Sequence, residues 1–390
     1  MTDDDTAGAR AGGGQGVTDE GATVEGATGP TPGSGGGPGD ATGAAGTADQ
    51  DPGRPVSPGG PESPARRPHR PRGPRRDRAR SDVAAGTTPP GVLVIAKPAG
   101  PTSHDVVALV RRLSGARRVG HGGTLDPFAS GVLPVFLGSA TRMAEYHLHD
   151  AKAYRAVACF GAVSTTDDIQ GELTRSDGPM PTRQDVEDAL PAFRGHIVQR
   201  PPDYSAVKIA GRRAYELARR GERPELRDRE VDVHELQVTS WDESGASGPC
   251  ATIEIRCSAG TYVRSLARDL GDRLGCGAYL AALSRTASGP FRIEDAIDLD
   301  EVRRLLADGQ IGRRLLPPDA GLDAYPEVVL GPADLESIAR GQVVRLPDPD
   351  MTPGPDGLVR VVARGRGVVA MAHVRDGRLH PDKVLSGILG

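Results

Sequence analysis

GHGGTLDPFASGVLPVFLGSATR, the stretch Gly120–Arg142, decides how this chain is read. Pro127 biases Asp126 toward extended backbone. Glycines at 120, 122 and 123 let another backbone or a large ligand come close. Val132–Leu137 is a short apolar run bounded by turn residues, which predicts a buried strand. A carboxylate is thus mounted on a stiff loop directly ahead of a core strand, the rigid support that a catalytic group needs. In isolation, an Asp-Pro pair after glycines is usually only a turn. The surrounding sequence has to separate the two readings.

At 390 residues the chain has room for two domains, but its first part lowers that count. Met1–Thr88 is Gly, Ala, Pro, Thr and Asp with almost no large apolar side chain, so it cannot bury enough surface to offset ordering and is expected to be a disordered tail. Within it, Ala65–Arg80 (ARRPHRPRGPRRDRAR) is an Arg-rich block suited to an auxiliary RNA contact or to a solvated linker. No charged-then-apolar leader and no apolar run of membrane length is present, which leads us to expect a cytoplasmic protein. Cys159, Cys250, Cys257 and Cys276 form no CxxC pair and read as small buried thiols. The net charge of −4 argues mildly against RNA, although only the field at the binding face counts.

Beyond the tail, Gly91–Ala96 (GVLVIA) predicts a buried strand. A helix follows, capped at Thr102 or Ser103, with Val106, Val107, Val110 and Leu113 on one face and Gly115 at its end. Further strands are predicted at Lys152–Phe160, Tyr204–Ile209, Arg229–Trp241 and Ala251–Cys257. Helices are predicted near Ala140–Leu148, over Thr182–Phe193, over Arg212–Arg220, from Tyr262 to Leu274 and at Asp300–Ala307. From about Asp323 the pattern turns to short strands (Val328–Leu330, Leu358–Ala363, Gly367–Val374). Strands and helices mix without regular βαβ alternation, so the fold class is α+β with a mixed, largely antiparallel central sheet. The expected organisation is a tail over 1–88, a main domain over 89–320 and a small β-rich domain over 321–390.

The signature stretch resembles the TruB family, tRNA pseudouridine-55 synthases, whose motif is written GHxGTLDPxAxGVLP. The resemblance extends from Gly91 to Phe291. LVIAKPAGPTSHDVV is similar to the first family motif, with Lys97 and Pro98 in place. KAYRA is similar to the KxY motif, which puts Tyr154 at the active-site tyrosine. QRPPDYSAVKIAGRRAYELARRG, GTYVRSLARDLG and YLAALSRTASGPF follow the later motifs and bring in Tyr262, Arg264 and Leu283. In the loop Gly161–Gly171, Thr165 stands where the family usually has Asp, while Asp168 keeps the second carboxylate.

This resemblance implies a pseudouridine synthase fold with a central cleft and a PUA-like, RNA-binding C-terminal part. It also implies isomerisation of the T-loop uridine of tRNA. Asp126 would be the catalytic carboxylate, Arg264 its partner and Tyr154 the stacking ring that helps take the C5 proton. Tyr262 and Leu283 would line the uracil pocket, and His121 would fill the space left by the flipped base. Lys97, Lys208, Arg212 and Arg213 are candidate phosphate contacts.

Turning uridine into pseudouridine changes no atom count, so no cofactor or metal is called for. The sequence accordingly carries no P-loop, dinucleotide fingerprint or metal-ligand spacing. Nothing in it demands more than a monomer. Three other readings stand beside this one: an RNA-folding module that has lost catalysis, a dyskerin-like synthase acting on other RNA, and a glycosidase drawing its second acid from Asp167 or Asp168.

Overall fold

The computed structural model describes residues 88–385, except 206–207, 210–211, 215–216 and 218–225. The tail expectation for 1–87, and the side chains of Lys208, Arg212, Arg213 and Tyr215, lie outside the described residues. So does most of the helix expected over Arg212–Arg220. No described helix is long and apolar enough to cross a membrane.

Strands up to the site are β1 (Gly91–Lys97), β2 (Val119–His121), β3 (Ser130–Leu137), β4 (Lys152–Phe160), β5 (Ala162–Ser164), β6 (Leu173–Arg175) and β7 (Gly195–Gln199). After them come β8 (Lys208–Ile209), β9 (Arg212–Arg213), β10 (Arg229–Asp242), β11 (Cys250–Cys257), β12 (Ala278–Ser288) and β13 (Phe291–Arg292). Nine of these form one sheet in the order β1-β3-β12-β4-β11-β10-β7, with β2 paired to β3 and β13 to β12. Every pairing in it is antiparallel except β12 on β3. This agrees with the mixed, largely antiparallel sheet expected.

The helices are α1 (Ser103–Ser114), α2 (Arg183–Ala189), α3 (Val263–Leu274) and α4 (Leu299–Ala307). Their apolar stripes converge on one core with alternate residues of the sheet, among them Leu93, Ile95, Leu133, Val135, Ala156, Ile253 and Leu280. The opposite set, Val92, Val94, Val132 and Phe136, packs with Phe291 on the other face. With both faces covered, β1 and β3 are apolar throughout rather than alternating. The α1 N-terminus carries a full capping box between Thr102 and Asp105, and Gly115 closes it in the left-handed region. The α2 start repeats the box with Thr182 and Asp185.

Several expectations need correction. Ala140–Leu148 is not one helix but two 3-10 turns, Gly138–Arg142 and Ala144–His147. The helix expected over Thr182–Phe193 is α-helical only to Ala189, after which Pro191 sits in a 3-10 turn. Tyr204 and Ser205 lie in a bend rather than a strand. Cys159 and Cys250 are joined as a disulfide, because the β4–β11 register puts them directly opposite with Cα atoms 4.1 Å apart. Cys257 and Cys276 remain buried thiols, as expected.

A second sheet of five strands follows the main one: β14 (Glu327–Val329), β15 (Val344–Arg345), β16 (Leu358–Ala363), β17 (Gly367–Arg375) and β18 (Arg378–Val384). The sequence reading anticipated three of these; β15, β18 and α5 (Pro332–Ala339) are additions. It has its own apolar core around Val359, Val361, Ala370 and Leu379.

The seam between β3 and β12 rests on a glycine. Gly131 has φ +106°, and a Cβ there would lie 2.2 Å from the carbonyl oxygen of Arg285. Gly131→Ala should therefore destabilise the fold by on the order of 3 kcal/mol, through backbone strain and forced separation of the strands. Urea unfolding of the variant beside the wild type checks this.

Candidate active site

Asp126 is held by its neighbours before any ligand is considered. Ser103, the first residue of α1, ties Leu125 in both directions: the Leu125 N–H donates to Ser103 Oγ (2.9 Å), and that hydroxyl donates to the Leu125 carbonyl (3.1 Å). The Gly100 N–H donates to the carbonyl of Pro127 at 2.7 Å, and the Ala129 N–H closes a turn onto the carbonyl of Asp126. The loop is thus pinned on both sides of the carboxylate, as its Asp-Pro geometry suggested.

Arg264, the second residue of α3, reaches across to it. Its Nη2 lies 2.9 Å from Asp126 Oδ2, and its Nη1 lies 3.5 Å from Asp168 Oδ2. The same guanidinium donates to the carbonyls of Thr166 and Tyr204, each at 3.0 Å. Arg264 is 4% exposed and Asp168 6%, whereas the Asp126 side chain is 36% exposed. Asp126 Oδ1 has no hydrogen bond or ion pair among the described residues, and the carboxylate is the most exposed member of this group. Asp168 is further tied by the Thr166 hydroxyl and the Gln170 N–H, and Asp167 pairs with Arg268 at 3.0 Å. Neither is a free second acid, which removes the support for the glycosidase reading.

An open cavity of about 230 Å³ lies over this carboxylate. Its walls include Asp126, Tyr154, Tyr262, Arg264 and Leu283, five of the residues singled out from sequence, together with Lys152, Leu148, Ser205 and Arg285. Tyr262 is fixed by Gln199 of β7, whose side-chain amide pairs with both its N–H (2.8 Å) and its carbonyl (3.0 Å). Arg229 lies 5.9 Å over the Tyr262 ring. Burial pushes the phenols of Tyr154 and Tyr262 up, and the nearby cations Arg285 and Arg229 oppose that shift.

The expectation for Lys97 turns out differently. Lys97 is 1% exposed, and its ammonium donates to the carbonyls of Pro98 and Pro101 (2.8 Å each) and of Pro127 (3.5 Å). It is a brace for the Asp126 loop instead of a phosphate contact. The β1 pattern carries Lys97 inward, and three carbonyls there replace water. Burial lowers its pKa to about 8. His121 does not wall the cavity; it lies in β2, edge-on to His104 with ring centroids 5.5 Å apart, and its Nδ1 accepts from the Gly123 N–H at 3.3 Å.

Missed altogether in the sequence were Arg285, 1% exposed, and the long strand that carries it. The only signal was the apolar run before Arg285, which is rich in Ala and Leu and reads as readily helical.

Known proteins were compared with this chain. Residues 111–263 match the model for the TruB family pseudouridylate synthase N-terminal domain, and residues 264–323 match that for the tRNA pseudouridylate synthase B C-terminal domain. The protein named tRNA pseudouridine synthase B from Pelotomaculum thermopropionicum is 39% identical over 289 residues, covering 71% of this chain and 92% of that protein. Its namesake from Acaryochloris marina is 42% identical, covering 76% and 98%. Among solved structures, a chain of a Cbf5-Nop10-Gar1 complex superposes with a TM-score of 0.58 at 28% identity, over 76% of this chain and 84% of that one. A chain from an H/ACA RNP bound to a substrate RNA containing 2'-deoxyuridine gives 0.57 at 25%, covering 76% and 86%.

Burial lowers the His121 pKa from 6.5 to about 4, with His104 and Arg285 adding to the effect. The unfolded chain therefore binds more protons between those values, and stability falls as pH drops from about 6.5 toward about 4. His121→Gln should lose less stability than wild type between pH 7.5 and pH 4.5 in urea titrations. Equal losses would assign the acid limb to other groups.

Proposed function

The chain belongs to the TruB family of pseudouridylate synthases, and from that premise we propose that it converts a tRNA uridine, position 55 in the T-loop, to pseudouridine with Asp126 as the catalytic residue. The observation that carries this is the partly exposed carboxylate of Asp126, clamped by Arg264 at the floor of a cavity with aromatic and apolar walls.

In this reading the target base is extruded from its stack into the cavity. Tyr154, Tyr262 and Leu283 enclose the uracil, and His121 takes up space in the RNA that the base has left. The N1–C1′ bond breaks with its electron pair moving onto the base. Asp126, ionised, either adds to C1′ or removes the proton from C2′ to give a glycal. The detached uracil turns so that C5 faces C1′ and the C5–C1′ bond forms, either displacing the Asp126 carboxylate from C1′ or, from the glycal, with the proton held by Asp126 returning to C2′. The C5 proton then leaves, and a proton ends on N1. Atoms and electrons balance without an oxidant or a metal. Arg264 holds Asp126 where C1′ arrives.

Tyr154 is first a stacking surface. Its phenol, whose pKa burial raises further above neutrality, hydrogen-bonds the turning base and relays the C5 proton.

The proposed partner is the T-arm of tRNA, bound by a monomer in the cytoplasm. We assign catalysis to residues 89–320 and an accessory, PUA-like RNA contact to residues 321–390. Most of that second part lies beyond both family-model matches. The intact Asp126–Arg264 pair favours an enzyme over a pure RNA-folding module, which has no use for a clamped carboxylate. The relatives named tRNA pseudouridine synthase B favour tRNA over a dyskerin-like target.

Tritium release from [5-³H]uridine in a T-arm stem-loop tests the reaction. Wild type should release label, and Asp126→Asn should release none while binding the RNA within about threefold of wild type. Release that survives in Asp126→Asn would move catalysis to another residue. Deleting Met1–Thr88 should leave kcat unchanged, since every site residue lies beyond it.

A further inference from the structure

Arg285 sits in β12 among the most deeply buried side chains of the protein. Its Nε donates to the carbonyl of Val132 (2.8 Å), Nη2 to that of Gly123 (3.2 Å) and Nη1 to that of Thr124 (3.4 Å). Gly123 and Thr124 begin the loop that presents Asp126. The backbone of Arg285 is in register with Gly131 of β3 on one side and with Tyr154 of β4 on the other. One residue therefore touches the start of the catalytic loop, the strand that follows it and the strand that carries the stacking tyrosine.

Its charge is equally unusual. Arg264 and Arg360, the other buried arginines among the described residues, each have a carboxylate partner. Among the described residues no carboxylate lies within ion-pair distance of Arg285; its partners are neutral, the three carbonyls and the phenol of Tyr154. A buried cation without a counter-charge is costly. The cost is offset if negative charge arrives with the substrate, and breaking N1–C1′ puts an electron pair on a base lying against this wall of the cavity.

We propose that Arg285 is a positioning residue that sets the Asp126 loop against the Tyr154 strand and lends its unpaired charge to the departing uracil. The proposal rests on the isomerase reading above.

Single-turnover tritium release with saturating T-arm RNA, alongside RNA Kd and melting temperature, is the test. Arg285→Lys keeps the charge but not the fork of donors, and Arg285→Met removes both. The expected result is a fall in rate of about 100-fold for Met and about 10-fold for Lys, with Kd within about threefold of wild type. Val302→Ala, at a buried position of α4 that does not line the cavity, controls for lost stability alone: its Tm should fall while its rate holds.

Three results would overturn the proposal. One is a Met variant within threefold of the wild-type rate; another is a loss confined to Kd. The third is a rate deficit that disappears when the assay is run well below the variant's melting temperature, and this also decides the case if Arg285→Met folds poorly. If wild type itself releases no tritium, the isomerase reading fails first, which is distinguishable because the variants are then never compared.

Discussion

One guanidinium holds together three segments that are far apart along the chain. Arg264 meets Asp126 from the loop before β3, Asp168 from the turn between β5 and β6, and the carbonyls of Thr166 and Tyr204. It can do so because it is placed at the start of α3, whose residues Val263, Leu266, Ala267 and Leu270 are locked into the core. For a fully buried pair, deleting one partner strands a charge and costs about 3–5 kcal/mol. On the Asp126 side, a third exposed, water screens part of that. The interaction is therefore a weak source of net stability and a strong source of geometry: with Arg264 in place, the carboxylate has few positions left.

The same logic recurs with other cations. Lys97 gathers the carbonyls of Pro98, Pro101 and Pro127. Lys152 gathers those of His147, Leu148 and Asp150, at the rim of the cavity where Leu148 stands half exposed. Arg285 gathers those of Val132, Thr124 and Gly123. Irregular loops carry backbone carbonyls that no ladder satisfies, and a buried cation satisfies several at once. The site is consequently built from loops yet held as rigidly as strands, and it is rich in positive charge although the chain as a whole is slightly negative.

The C-terminal sheet is attached to this site through the segment that leaves β3. Arg142 donates to the carbonyl of Val384, the Tyr146 hydroxyl to Asp382, and Lys383 pairs with Glu145. Met143 is buried against Leu358, Val368 and Met371. Arg360 joins β16 to Asp319, Glu327 and the carbonyl of Tyr325 in the chain that leads in. The same segment runs on through Leu148 to Lys152, so the far sheet props one wall of the cavity.

The local rules of the chain were enough for β1, β3, β4, β10, β11, α1, α3 and α4, because each carries its own period, cap or flanking turn. They also sufficed to single out Asp126 and, through the ordered motifs, Tyr154, Tyr262, Arg264 and Leu283, which the fold brings to one cavity. What depends on contacts between distant segments was not legible. An Ala- and Leu-rich run became β12 only because β3 and β4 stand ready to pair with it. The Cys159–Cys250 bond follows from a strand register that spacing alone does not reveal. Lys97 looked like a phosphate ligand, since a lysine in a sequence shows its charge and not its burial. Arg285 stood inside a quoted motif, YLAALSRTASGPF, with nothing to mark it as buried. By itself the sequence determined the elements that carry their own period or cap, and which carboxylate stands out. Only the tertiary structure decided which cations are buried, because burial is settled by what packs across the sheet and not by neighbours along the chain.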